Sequence, residues 1–203
     1  MAFLEYGETD CDSLWEIDPS GTAFEVFESQ TEFSGLGGDG VPGTCHSNAV
    51  RYVQADDMYT FSDVSNDILR LDRSGNVLWR LSETLPGGIA TLGGSQHGHQ
   101  MLQDSILVFA NEGAGVGNSA ALEFSLADGS EIYRYVSGEF TPNLGDVQRL
   151  PGGNTLVTYS NPGIVHEVGA SGTPVMRYDA SGVGLGYSLF RSTLYGPPPD
   201  ITR

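Results

Sequence analysis

One turn keeps returning along this chain: Asp18-Pro19-Ser20-Gly21, Arg73-Ser74-Gly75, Ala127-Asp128-Gly129 and Ala170-Ser171-Gly172. Its glycines lie about 43 to 54 residues apart, the spacing of a supersecondary unit used repeatedly. Around each turn the same script of short runs recurs. One copy reads His46-Ser47-Asn48-Ala49-Val50-Arg51-Tyr52, Met58-Tyr59-Thr60-Phe61-Ser62, Ile68-Leu69-Arg70-Leu71 and Val77-Leu78-Trp79-Arg80. The next has Ile106-Leu107-Val108-Phe109-Ala110, Ala121-Leu122-Glu123-Phe124 and Glu131-Ile132-Tyr133-Arg134-Tyr135, and a third runs from Asp146 to Tyr178. Each run is rich in β-branched and aromatic residues and bounded by Gly, Asn, Asp or Pro, which is the pattern of strands in hairpins. Four strands per unit at this period predict an all-β fold, a small β-propeller of about four four-stranded blades.

The two ends of the chain complement one another. The start supplies Ala2-Phe3-Leu4-Glu5, Ser13-Leu14-Trp15-Glu16-Ile17 and Ala23-Phe24-Glu25-Val26-Phe27, which read as the second, third and fourth strands of a blade. Near the end, Tyr187-Ser188-Leu189-Phe190-Arg191-Ser192 reads as an isolated first strand. Pairing it with residues 2–6 would close the ring and cover an exposed sheet edge. The expectation is therefore one domain over 1–203, with blades near 1–30 plus 186–195, 45–82, 97–137 and 145–179. The rival is an open arc that completes itself by self-association into a homo-oligomer. The linkers 32–44 and 83–95 are Gly-rich and read as surface loops.

Composition narrows the partners. The 203 residues carry 26 acidic and nine basic side chains, a net charge of −17, and the basic residues are all arginine. Such a surface repels phosphate backbones, so nucleic acid and anionic membrane are poor partners. Met1-Ala2-Phe3-Leu4-Glu5 has no basic n-region, and no run is long and apolar enough for membrane insertion, so neither a signal peptide nor a spanning segment is read here. Asp10-Cys11-Asp12 and Asp63-Val64-Ser65-Asn66-Asp67 place oxygens close together without matching a known calcium loop; they are either solvated acidic turns or calcium ligands. No other cofactor is implied. Cys11 and Cys45 are either one bridge, in an oxidising compartment, or two separate thiols.

The order of motifs resembles the bacterial arylsulfotransferase family. The likeness rests on His46-Ser47-Asn48-Ala49-Val50, Gly75-Asn76-Val77-Leu78-Trp79-Arg80, Gln96-His97, Leu107-Val108-Phe109-Ala110-Asn111 and, most specifically, Val147-Gln148-Arg149-Leu150-Pro151-Gly152-Gly153-Asn154-Thr155-Leu156-Val157. It spans residues 45 to 191. The resemblance implies a propeller that moves a sulfuryl group between small phenolic or sulfated substrates through a histidine, in the periplasm or outside a bacterial cell. Family enzymes carry a six-bladed ring and an extra β-domain; this chain has too few residues for both. The other reading of the chain is a non-catalytic propeller acting as a binding or self-assembling module.

Sulfuryl transfer needs a nucleophile, cationic donors for the oxygens and a base for the acceptor. His46 and His97 match the family's histidine motifs and each stands just before a first strand, so they are expected to converge on the axis from neighbouring blades. The third blade has Gly145-Asp146 at that place. His46 and His97 are either catalytic or structural donors to backbone carbonyls. Arg149 and Arg191, with Arg51, are the candidate oxyanion donors; alternatively they pair with the abundant carboxylates. His99, two residues from His97 on an extended strand, is expected on the same side, and two histidines alone fall short of a zinc site. His166 reads as a packing or surface residue, and Trp15, Trp79, Tyr135 and Tyr178 as blade packing.

Overall fold

In the computed structural model, residues 2–5, 11–33, 45–64, 66–180 and 182–190 are described. Their strands form four antiparallel meanders, each hydrogen-bonded in chain order. The first sheet holds β1 (Ala2–Glu5), β2 (Ser13–Ile17) and β3 (Ala23–Glu28). The second holds β4 (Ser47–Val53), β5 (Met58–Asp63), β6 (Ile68–Leu71) and β7 (Val77–Arg80). The third holds β8 (Gln96–Met101), β9 (Ser105–Ala110), β10 (Ala120–Ser125) and β11 (Glu131–Tyr135). The fourth holds β12 (Asp146–Arg149), β13 (Thr155–Tyr159), β14 (Ile164–Val168) and β15 (Pro174–Asp179).

The sheets meet through the innermost strand each has among the described residues: β1 lies against β4, β4 against β8, and β8 against β12. Bonds between these inner strands join residues 48 or 49 positions apart. The Asn48 side-chain amide donates to the Gln96 carbonyl, Arg51 Nε to the His99 carbonyl, and the Arg149 N–H to Gln100 Oε1. Because 48–96 and 51–99 advance together, neighbouring inner strands run in the same direction around a common axis. That is the blade arrangement of a propeller.

Burial follows from this stacking. Strand β9 is buried throughout, and its residues divide with the two-residue period of a strand. Ile106, Val108 and Ala110 enter the core shared with the second blade, whereas Leu107 and Phe109 enter the core shared with the fourth. A middle strand sandwiched between blades has no solvent face, so its sequence shows no polar alternation. Ile106, Leu107, Val108 and Phe109 each contribute about 1.5–3 kcal/mol of transfer free energy.

The recurring turn has a local cause. In the second blade the Asp72 carboxylate accepts from the Ser74 and Asn76 N–H groups at 2.8 and 3.0 Å, and Gly75 takes φ 81°. A Cβ on Gly75 would stand 1.9 Å from the Val26 carbonyl oxygen of the first blade, so glycine is required twice over. Asp18 and Asp128 cap their own turns in the same way; the side-chain hydrogen bonds from Ser20, Asn76 and Ser130, and after them the N–H bonds, hold all three carboxyls below the ordinary range. A register shift recurs where each third strand pairs with its fourth, at Leu14/Trp15, Arg70/Leu71, Glu123/Phe124 and Glu167/Val168. By this shift β2 corresponds to β6, β10 and β14.

Two expectations are corrected. The segment 83–95 is not a plain surface loop. A helical turn (Leu81–Thr84) leads into it and a 3-10 helix (Gly88–Leu92) lies within it, and together they bury Leu81, Leu85, Ile89 and Leu92 in the core between the second and third blades. The closing strand is not formed by its described part. Residues 187–190 are not a strand and do not pair with β1. The Gln148 side chain instead takes both backbone groups of Phe190, accepting its N–H at 2.7 Å and donating to its carbonyl at 3.4 Å. Tyr187 reaches across to donate to the Asn48 carbonyl at 2.9 Å. A side-chain amide thus substitutes for one rung of a strand ladder and holds this segment over β12 and β4. Residues 191–195 of the expected strand lie outside the described residues. Cys11 and Cys45 form one disulfide, with Cα atoms 4.5 Å apart.

Candidate functional site

His46 and His97 stand where β4 and β8 begin. The His46 N–H donates to Asp63 Oδ2 at 2.7 Å, and the neighbouring Ser47 N–H to Asp12 Oδ2 at 2.6 Å. Two buried carboxylates thereby pin the entry of β4. His46 itself is exposed, and His97 is buried. Burial lowers the affinity of His97 for a second proton; the hydrogen bond to Asn111 opposes this, and the charge of His46 adds to the lowering. His97 is thus neutral near neutral pH.

The tautomer of His97 follows from its partner. The Asn111 side-chain NH2 donates to the carbonyls of Thr141 and Leu144, each at 2.9 Å. Its Oδ1 is therefore the atom 2.7 Å from His97 Nδ1, and an amide oxygen accepts only. His97 Nδ1 must carry the proton. Nε2 therefore keeps the lone pair. Fixing one nitrogen so that the other is available is how a histidine is prepared for nucleophilic work or proton transfer.

His99 does not share that side. A register irregularity between Gln96 and His99 in β8 turns the two histidines to different partners. His97 meets Asn111 at the end of β9, whereas His99 Nε2 lies 2.8 Å from Thr60 Oγ1 of the second blade. His99 is fully buried, with its affinity for a proton pushed down to about 3, chiefly by burial and then by the charge of Arg51.

Arg51 crosses the axis. Its Nη2 lies 2.7 Å from both oxygens of Asp146, which stands at the blade-start position where a histidine is missing. Asp146 is buried, and its carboxyl is pushed up by desolvation against the opposing pull of Arg51. Gly98 of β8 makes room: a Cβ there would stand 1.9 Å from Asp146 Oδ1. Arg149 pairs with Glu123 and lies over the Tyr133 ring at 5.0 Å. Both described candidate oxyanion donors therefore hold carboxylates, and Arg191 lies outside the described residues. Among the described residues no cluster of three acidic, histidine or cysteine side chains is arranged for a metal. Asp63 and Asp67 hold backbone and side-chain donors instead, and Asp10 and Ser65 are outside the described residues.

A cavity of about 410 Å³ lies beside this axis, lined by Arg51, His99, Gln100, Val147, Gln148 and Leu189 among others. Its walls are the later parts of β4, β8 and β12, so it opens where the inner strands finish; His46 and His97 stand where they start. The sequence did not single out Asn111, Asp146 or Gln148 for these tasks. Only Gly98, a glycine inside a strand, hinted that a neighbouring group approaches closely.

The fold and axial site define a β-propeller array. Solved structures of the same shape include a protein of unknown function from Bacteroides caccae, with TM-score 0.53 and 18% identity over 88% of this chain and 57% of that one. A streptogramin B lyase matches with TM-score 0.53 and 14% identity over 82% of this chain and 47% of its own. The computationally designed Ika8 protein gives 0.52 and 11%, over 94% and 50%. At these identities the likeness is one of fold alone, and the chain spans about half the length of the structures it matches. No family model and no curated protein matches the chain.

Proposed function

We propose that this chain is an arylsulfotransferase-like propeller in which His97 carries a sulfuryl group between phenolic compounds and His46 serves as the base. The observation behind this reading is the locked tautomer of His97, which leaves the lone pair on Nε2. In the first half-reaction Nε2 attacks the sulfur of an aryl sulfate; the N–S bond forms, the S–O(aryl) bond breaks, and a phenolate leaves. The cationic sulfo-imidazole keeps its Nδ1–H on Asn111 Oδ1, a charge-assisted bond stronger than the resting one. In the second half an acceptor phenol gives its proton to His46 as its oxygen attacks sulfur, and the N–S electron pair returns to Nε2. Location in the periplasm or outside the cell is proposed with this reading.

Release of nitrophenol from p-nitrophenyl sulfate that rises with added phenol, and is lost in His97→Ala, supports the enzyme. Release independent of acceptor, or unchanged in His97→Ala, rejects it.

A second reading has its own observation. Arg51 and Arg149 are committed to Asp146 and Glu123, which leaves no described axial arginine for sulfate oxygens. With the unpaired inner edge of β1 among the described residues, this favours a binding or self-assembling module. A defined oligomer by sedimentation, without turnover, supports it over the enzyme.

A further inference from the structure

On the rim, away from the axial histidines, β11 of the third blade and β14–β15 of the fourth enclose a second cavity of about 650 Å³. Its wall includes His166, Arg134, Arg177, Glu139, Val136 and Pro174. His166 is only 6% exposed, so of the two expected roles it is a packing residue and not a surface one, with its ring set against Tyr135 and Tyr159. Its Nδ1 lies 2.9 Å from the hydroxyl of buried Tyr135, and its Nε2 is buried with no partner. An orphaned polar atom inside a fold is costly, and this one belongs to a residue of the cavity wall, which points to a ligand that supplies the missing bond.

The chemistry of the wall selects the ligand class. If Tyr135 donates to Nδ1, Nε2 carries a proton that needs an acceptor; if Nδ1 donates, Nε2 is a lone pair that needs a donor. A hydroxyl answers either case. The charges cancel locally. Arg134 is held by Glu131 at 2.6 Å, and Arg177 by Asp179 at 2.6 Å and Glu139 at 3.3 Å. Two guanidiniums against three carboxylates do not attract an anion, yet they present fixed donors and acceptors. Val136 and Pro174 add an apolar wall. Apolar surface beside paired charges and an unsatisfied imidazole matches the two-sided character of a sugar ring, with C–H groups on its faces and hydroxyls at its edge. The size is that of a small-molecule site.

We propose that this rim cavity binds a neutral saccharide, with His166 taking a ring hydroxyl and the Arg177–Glu139 pair gripping another. The site does not depend on the axial histidines.

The test titrates the full chain with maltotriose, cellotriose and chitotriose, and with glucose 6-sulfate as the anionic comparison, by calorimetry and backbone NMR. The expected result is saturable binding of at least one neutral trisaccharide, with shifts at residues lining the cavity. Affinity should fall roughly tenfold in His166→Phe, one hydrogen bond's worth. Arg177→Met, an exposed change that leaves the core intact, should weaken it by a similar factor. Binding of none of the three, binding undiminished in both variants, or preference for the sulfated sugar overturns the proposal.

Discussion

Replacing Arg51 with methionine should be among the most damaging single changes at the axis. Asp146 is buried with its side chain inaccessible to solvent, while Arg51 keeps 24% of its side chain exposed. Both Asp146 oxygens accept from Arg51 Nη2 at 2.7 Å, and the Val147 N–H adds one bond at 2.9 Å. At about 4 Å between charge centres and an effective dielectric constant near 20, the attraction is about 4 kcal/mol. Breaking one side of a buried pair costs about 3–5 kcal/mol, because the remaining charge is left uncompensated. R51M should therefore lose about 4 kcal/mol near neutral pH. The pH dependence has a definite sign. Burial raises the folded Asp146 carboxyl above its unfolded value of 3.8. Its contribution is fully present below that unfolded value and is lost as pH rises through the folded one. Removing the opposing pull of Arg51 raises the folded value further. The deficit of R51M against wild type should accordingly shrink as pH falls toward 4. R51M/D146N should recover most of the loss. Urea titrations followed by Trp15 and Trp79 fluorescence measure all three proteins. A deficit below about 1 kcal/mol at neutral pH, or one unchanged near pH 4, would refute the reasoning.

Other outcomes can be checked with the same titration. Opening the Cys11–Cys45 bridge by a double serine substitution should cost about 4 kcal/mol, the chain-entropy value for a 34-residue separation. His99 has a folded proton affinity depressed to about 3, so its stabilising effect is present above about pH 6.5 and lost as pH falls toward 3; H99Q should flatten that acid limb. Because Asp63 and Asp67 already bind N–H and O–H donors, a chelator should leave the melting temperature unchanged, and a fall would instead reveal calcium.

How far the sequence revealed this molecule depended on whether an effect was local. The capped turns at Asp18, Asp72 and Asp128 are made by side chains two to four residues from the groups they bind, so the repeat and its blades could be read directly. The short helices at 81–92 had a readable signal too: Leu81, Leu85, Ile89 and Leu92 recur at helical spacing, masked by glycines that in fact bracket the 3-10 helix, Gly87 before it and Gly93 after it. The separation of His97 from His99 was not legible, because one irregularity in β8 breaks the two-residue alternation. Nor were the partners of Arg51 and Gln148, which lie 95 and 42 residues away and are chosen by the stacking of blades.

The chemistry assigned to the axis rests on His97 Nε2 being an available nucleophile, and rapid-quench intact-mass measurement with p-nitrophenyl sulfate tests this most directly. The expected result is one added SO3 group that maps to His97, disappears when phenol is supplied, and never forms in His97→Ala. Nitrophenol released with no protein-bound sulfuryl group, a label on another residue, or no reaction at all would contradict it.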